Sequence, residues 1–188
     1  MDEIVFIDTE TTGLNSSIHE IIEIAIIGKN TNYNQKIKPN HLEHAHPRAL
    51  EINGYTARKW KHAISSKDAA MDIAKMIEGK TIVGHNIKFD MSFIDELLHQ
   101  HGIYVFYDRR LIDTMTLAHE HLKPCGIKSI SMDSIRSFFG WPHTDAHTAL
   151  KDAEDCRRLY YKLSKASKLQ RLLWTHKTKI KHLLKMIL

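Results

Sequence analysis

IVFIDTETTGL, residues 4–14, is the stretch on which the reading of this chain turns. Ile4–Ile7 is a short run of apolar, β-favouring residues, and Thr12-Gly13 with Asn15 supply the turn signals that bound it. The run predicts a buried central strand ending at Asp8. Side chains at i and i+2 of a strand share a face, so Asp8 and Glu10 aim two carboxylates at one point. A D-x-E pair on its own is usually two solvated acids. At the end of a buried strand, where α/β folds build their sites, it is a candidate for chemistry.

Working outward, Glu20–Ile27 and Asn32–Ile37 read as two further strands joined by a turn at Gly28–Asn30, completing an antiparallel meander of three. Beyond a Pro-flanked loop carrying His41, His44 and His46, Ser65–Glu78 has a capping serine, an apolar face of Ala69, Ile73, Met76 and Ile77, and Gly79 past its end. Thr81–Gly84 is a short buried strand, followed by a helix with Phe93, Ile94, Leu97 and Leu98 on its apolar face. Leu111–Ile112 reads as a strand ending at Asp113, and Thr114–His121, Ser129–Phe139 and Ala146–Leu163 as helices. Strands first, then strands alternating with helices, predict a mixed sheet flanked by helices.

Composition bounds the class. The chain has 188 residues, 43% hydrophobic and 26% charged, in the range of an ordinary globular domain. No apolar run approaches the roughly 20 residues of a membrane span. MDEIVFID lacks the basic-then-apolar pattern of a signal peptide. Cys125 and Cys156 form no C-x-x-C pair and read as reduced thiols, so an intracellular, cytoplasmic protein is expected. The net charge of +5 is unevenly spread: residues 1–156 hold all 22 acids against 17 Lys and Arg, whereas residues 157–188 hold ten bases and no acid. The expected organisation is a domain over residues 1–165 and a basic, amphipathic helical tail over residues 166–188. That tail reads first as a helix packed on its own domain with auxiliary phosphate contact, then as a partner-docking element.

Two more motifs carry acids. GHNIKFD, residues 84–90, puts Asp90 at the start of a helix, where capping alone explains a carboxylate. HTALKD, residues 147–152, sets His147 and Asp152 five positions apart, more than one helical turn. Each motif is weak by itself. Together, in this order, D-x-E-T-T-G-L, G-H-N-x-x-F-D and H-x-x-x-x-D resemble the DEDDh subgroup of DnaQ-like exonucleases, over about residues 4–163.

The resemblance implies a ribonuclease H-like α/β fold, a five-stranded mixed sheet with helices on both faces. It implies 3'→5' exonuclease activity releasing nucleoside 5'-monophosphates with two divalent ions, Mg²⁺ or Mn²⁺, for which hard oxygen ligands are suited. By the same resemblance Asp8 bridges the two ions, Glu10 and Asp152 hold the first, and Asp90 supports the second. His147 is the general base, with an intrinsic pKa suited to the role. Leu14 resembles an apolar wedge beside the terminal base, and Thr11, Gly13, Asn86 and Phe89 shape the substrate pocket, with a structural role for Phe89 equally open. Asp113 reads as the cap of the helix that follows it.

The expected partner is a single-stranded or frayed 3' end of DNA, with no membrane. No polymerase domain fits in this length, so a proofreading role calls for a separate polymerase. Two other readings stay open: an exoribonuclease of the same subgroup, oligoribonuclease-like or RNase T-like, and a non-catalytic nucleic-acid-binding module on the same fold.

Overall fold

Strand β1 spans Ile4–Thr11, three residues beyond the predicted end at Asp8. The extension follows from its neighbour. Strand β2, Ile21–Gly28, pairs antiparallel with β1 through Asp8↔Ala25, Thr9↔Ile24 and Glu10↔Glu23, so the ladder carries the acidic residues along with it. Strand β3, Asn32–Lys36, completes the expected meander on the outer side of β2. On the other side of β1 lie β4, Thr81–Gly84, and β5, Asp108–Asp113, both parallel to their neighbours. The sheet order is β3-β2-β1-β4-β5, five strands and mixed, as expected. The computed structural model describes residues 3–144 and 148–176.

Alternation along β1 sends its side chains into two cores. Val5 and Ile7 face helices α2, Ser66–Ile77, and α3, Ile87–Gln100, packing with Ala69, Ile73, Phe93 and Ile94. Phe6 faces the other way, with Ala25, Ile27 and Val83, against Ala149, Ala153 and Cys156 of α6, Ala149–Ser164. Helices α4, Thr114–Leu122, and α5, Met132–Phe139, close the α6 side through Ala118, Leu122, Ile135, Trp141 and Leu159.

Three expectations shift. The helix predicted from Ser129 begins at Met132, because the Ser131 side chain accepts from Ser134 N–H as its cap; Gly140, at φ 72°, ends it in the left-handed conformation. The segment read as a loop around the histidines contains a 3₁₀ turn, Leu42–His44, and a short helix α1, Pro47–Ile52. Proline at N1 and His46 accepting from Arg48 N–H start α1. The predicted start of the last helix at Ala146 lies outside the described residues, which join α6 at Ala149.

The described beginning of the tail is helical over 168–176 and folds back onto the domain. Trp174 meets Phe139 edge-on at 5.4 Å, and the Arg171 guanidinium lies 3.2 Å from His121. Leu169, Leu172 and Leu173 are exposed. Both cysteines are free and buried. Among the described residues no helix is long and apolar enough to cross a membrane.

Candidate active site

The site exists because β1 outruns β4. Strand β4 pairs only with Ile4, Val5 and Phe6, and the rest of β1 continues beside β2 alone. Asp8 and Glu10 share the face of Phe6, so they look toward α6, whose first turn carries Asp152. Ligand oxygens of Asp8, Glu10 and Asp152 all lie within 4.8 Å of one another.

Asp90 reaches the same strand from the opposite layer. It stands in the first turn of α3, where Asn86 rather than Asp90 is the N-cap residue. Its Oδ1 accepts from the Thr9 backbone N–H at 2.9 Å and from the Thr9 hydroxyl at 2.8 Å. Past the end of β4 a buried strand N–H needs some acceptor, and Asp90 supplies it.

Crowding and burial hold protons on these acids. Burial, then the charges of Asp90, Asp152 and Glu10, push Asp8 well above the usual carboxylate range, with Arg136 pulling weakly the other way. Burial and Asp152, Glu23 and Asp90 raise Glu10 to about 8. Burial raises Asp90 to about 7 although both Thr9 hydrogen bonds oppose it. Among the described residues this group is made of oxygen donors, so the residues fit hard divalent cations, which would offset the burial and repulsion that raise these pKa values.

The flanking segments are tied to β1. Thr11 Oγ1 donates to Gly13 O at 2.6 Å, Thr11 O accepts from Asn53 Nδ2, and Thr12 O accepts from His46 N–H, so α1 is fastened beside the acids. The His19 ring packs so closely on Gly13 that an added Cβ would lie 2.2 Å from it. Leu14 is 86% exposed, standing free at the rim. Asn86, exposed at φ 69°, precedes α3, and its N–H donates to Asp113 Oδ1. Asp113 also accepts from Met115 N–H, the cap predicted for α4. Phe89 packs on Phe93 at 4.9 Å and against the α3 core, which meets the structural reading of that residue. His147 lies outside the described residues.

Two residues near the cluster escaped the sequence reading. Glu23 sits opposite Glu10 on β2 and is held by Lys36 at 2.5 Å, which in turn lies over the Trp60 ring. A glutamate in the middle of the apolar run IIEIAII was the available signal. The second is Arg136 on α5, 1% exposed, whose guanidinium contacts Asp133, Asp152 and Asp155.

Comparison with known proteins gives the site its family. The exonuclease family RNase_T matches residues 5–160. The chain is 32% identical over 154 residues to the PolC-type DNA polymerase III of Thermotoga petrophila, covering 79% of this chain and 11% of that one. It is 25% identical over 186 residues to ribonuclease T of Shewanella denitrificans, covering 83% and 77%. The chain thus spans about a tenth of the polymerases it matches and about three quarters of the ribonuclease. Among solved structures, E. coli exonuclease I in complex with a dT13 oligonucleotide superposes with a TM-score of 0.75 at 18% identity, over 92% of this chain and 43% of that one, and shares the ribonuclease H-like sheet. The strand-end acids on β1, the α3 aspartate and the α6 aspartate therefore stand in a DnaQ-like frame, and the chain belongs to the RNase_T family of exonucleases.

Proposed function

We propose that this chain is a metal-dependent 3'→5' exonuclease acting inside the cell on single-stranded or frayed 3' ends of DNA, in proofreading or repair. The observation that carries the reading is the convergence of Asp8, Glu10 and Asp152 within 4.8 Å, with burial and the neighbouring carboxylates raising the pKa values of Asp8 and Glu10. Asp8, Glu10 and Asp152 would hold the cations, with Asp90 supporting them from α3. Mg²⁺ or Mn²⁺ held there would supply activation of a water and neutralisation of charge on the attacking and leaving oxygens.

The protein's own residues do the rest. Thr9 keeps Asp90 turned toward β1, and the fastened Thr11–Gly13 turn presents Leu14 to the terminal base. His147, preceding α6 in sequence, accepts the proton of the attacking water. The DNA preference rests on the PolC-type relatives, and a polymerase is the partner that goes with a proofreading role. A second reading, an exoribonuclease, is favoured by the ribonuclease T relatives, of whose length this chain covers 77%.

The deciding experiment incubates the purified chain with Mg²⁺ or Mn²⁺ and 5'-labelled single strands of DNA and RNA of one sequence, beside a circular single strand. Expected is a ladder shortened one nucleotide at a time from the 3' end, faster on DNA, with the circle intact. Faster RNA degradation selects the second reading. Cutting of the circle, or no metal-dependent turnover of either strand, overturns both.

A further inference from the structure

Arg136 is among the most deeply buried large side chains of the described residues, at 1% exposure, and it is a cation. It sits on α5 between Ile135 and Ser137, with its guanidinium turned toward α6. Nε donates to Asp155 Oδ2 at 2.8 Å, Nη1 to Asp133 Oδ1 at 2.8 Å, and Nη2 to Asp152 Oδ1. Asp155, 2% exposed, receives Lys151 Nζ on its other oxygen at 2.8 Å. Burial works against the charge on Arg136, but the pairings with Asp155, Asp152 and Asp133 more than offset it, and its pKa lies above the ordinary arginine value.

The arrangement is directional. Asp155 is the buried counter-ion that fixes the guanidinium, and the fixed guanidinium holds one oxygen of Asp152. Asp152 is one of the three acids gathered at the end of β1. A planar fork with several donors can hold two carboxylates of one helix at once, which a lysine ammonium on a flexible stem cannot do with the same geometry.

We propose that Arg136, anchored by Asp155, is the positioning residue for Asp152: it presets that carboxylate for the divalent cation before the cation arrives. The inference rests on the metal-binding reading given under Proposed function. Partners that orient metal-ligating side chains typically matter by 10–100-fold in metal affinity. The competing explanation is a strut that merely fastens α5 to α6. That role would change stability and leave cation affinity where it was.

The test is Mn²⁺ binding followed by electron paramagnetic resonance, with thermal melting of the metal-free protein measured in parallel. In the double variant Arg136→Met/Asp155→Leu a buried ion pair gives way to apolar groups, an exchange that is often neutral or stabilising. Expected is a metal-free chain that still melts cooperatively, with the Mn²⁺ dissociation constant raised about 10–100-fold. An unchanged dissociation constant in the folded double variant overturns the proposal. Should that variant lose its cooperative melt, Arg136→Lys, which keeps the charge and loses the fork, is read by the same titration. Weaker Mn²⁺ binding supports the proposal and unchanged binding overturns it. Failure of the parent chain to bind Mn²⁺ would instead overturn the metal-binding reading itself.

Discussion

Asp90 accepts both the backbone N–H and the hydroxyl of Thr9, at 2.9 and 2.8 Å, across 81 positions of sequence. Thr9 lies between Asp8 and Glu10, so one residue of β1 sets the α3 carboxylate while its two neighbours face α6. Thr9→Val keeps the shape and the backbone bond but removes the hydroxyl. A hydrogen bond to a charged group is worth about 1.5–3 kcal/mol, and losing this one raises the Asp90 pKa further from about 7. Because protons and cations compete for this group, the expected result is roughly a tenfold weaker Mn²⁺ affinity at pH 7 that shrinks at pH 9. A loss of equal size at both pH values would mean that the hydroxyl does not act through Asp90 protonation.

The raised carboxylates also fix the pH dependence of the metal-free fold. Glu10 titrates at about 8 in the folded chain against an ordinary 4.5, and Asp90 at about 7 against 3.8. Between each pair of values the folded state binds more protons than the unfolded one, so these groups make stability fall as pH rises through that window. Their contribution is fully present below the ordinary values and lost above the folded ones. Melting temperature without metal should therefore decline from pH 5 to pH 8, and Mg²⁺ should restore more of it at pH 8 than at pH 5. A metal-free melting temperature that rises over that range would contradict the assigned shifts.

Two substitutions that abolish turnover should part company in stability. Asp8→Asn replaces a buried carboxyl whose ionisation the site opposes by a neutral amide, and is expected to leave metal-free stability unchanged or raised at pH 8. Asp152→Asn weakens the hold on buried Arg136 and is expected to cost about 1–3 kcal/mol, the range for an impaired buried polar contact. Chemical denaturation of both purified variants, with turnover measured alongside, distinguishes them. Residual turnover near the parent level in either would remove that acid from the catalytic set.

How much of this was legible follows from the range of each constraint. The two-residue period of β1 placed Asp8 and Glu10 on one face, because strand geometry is local. Strand extension through Thr11 was not legible, because pairing with Ala25, Ile24 and Glu23 belongs to β2 rather than to the apolar run. Asp90 could be located but not its partner, since nothing local to GHNIKFD points to Thr9. Arg136 left a trace that went unread: Met132, Ile135, Arg136 and Phe139 form an i, i+3, i+4, i+7 stripe, so the arginine lies on the inward face. On α6, Asp152, Asp155, Cys156 and Leu159 form a similar stripe that carries its counter-ion. A charge on a buried stripe requires another charge on the stripe it meets.

For His147 the expectation comes from the family motif and the proton-transfer role. His147→Ala is expected to lower kcat by roughly 10²–10⁴-fold, the typical share of a general base. Mn²⁺ affinity, read by paramagnetic resonance, should stay within about twofold of the parent. A large drop in that affinity with little change in kcat at saturating metal would recast the histidine as a cation ligand.

The tail offers two roles with separable signatures. Its described part packs through Trp174 on Phe139, with Lys162 4.9 Å above the Phe139 ring, while exposed leucines face outward. Trp174 is half-buried, so Trp174→Ala should cost less than the 3–5 kcal/mol of a fully buried tryptophan, about 1–2 kcal/mol. That corresponds to a fall in melting temperature of roughly 3–6 °C for a chain of this size. Deleting everything after Lys165 removes the same packing together with six lysines and arginines. If those cations touch phosphates, the truncated chain should bind single strands with a shallower dependence of log affinity on log salt, by about 0.7 for each phosphate no longer neutralised. Trp174→Ala keeps the cations and should leave that slope unchanged despite the lower melting temperature. A truncated chain that stays folded and keeps the parent slope would exclude phosphate binding by the tail and leave partner docking as the better reading of this segment.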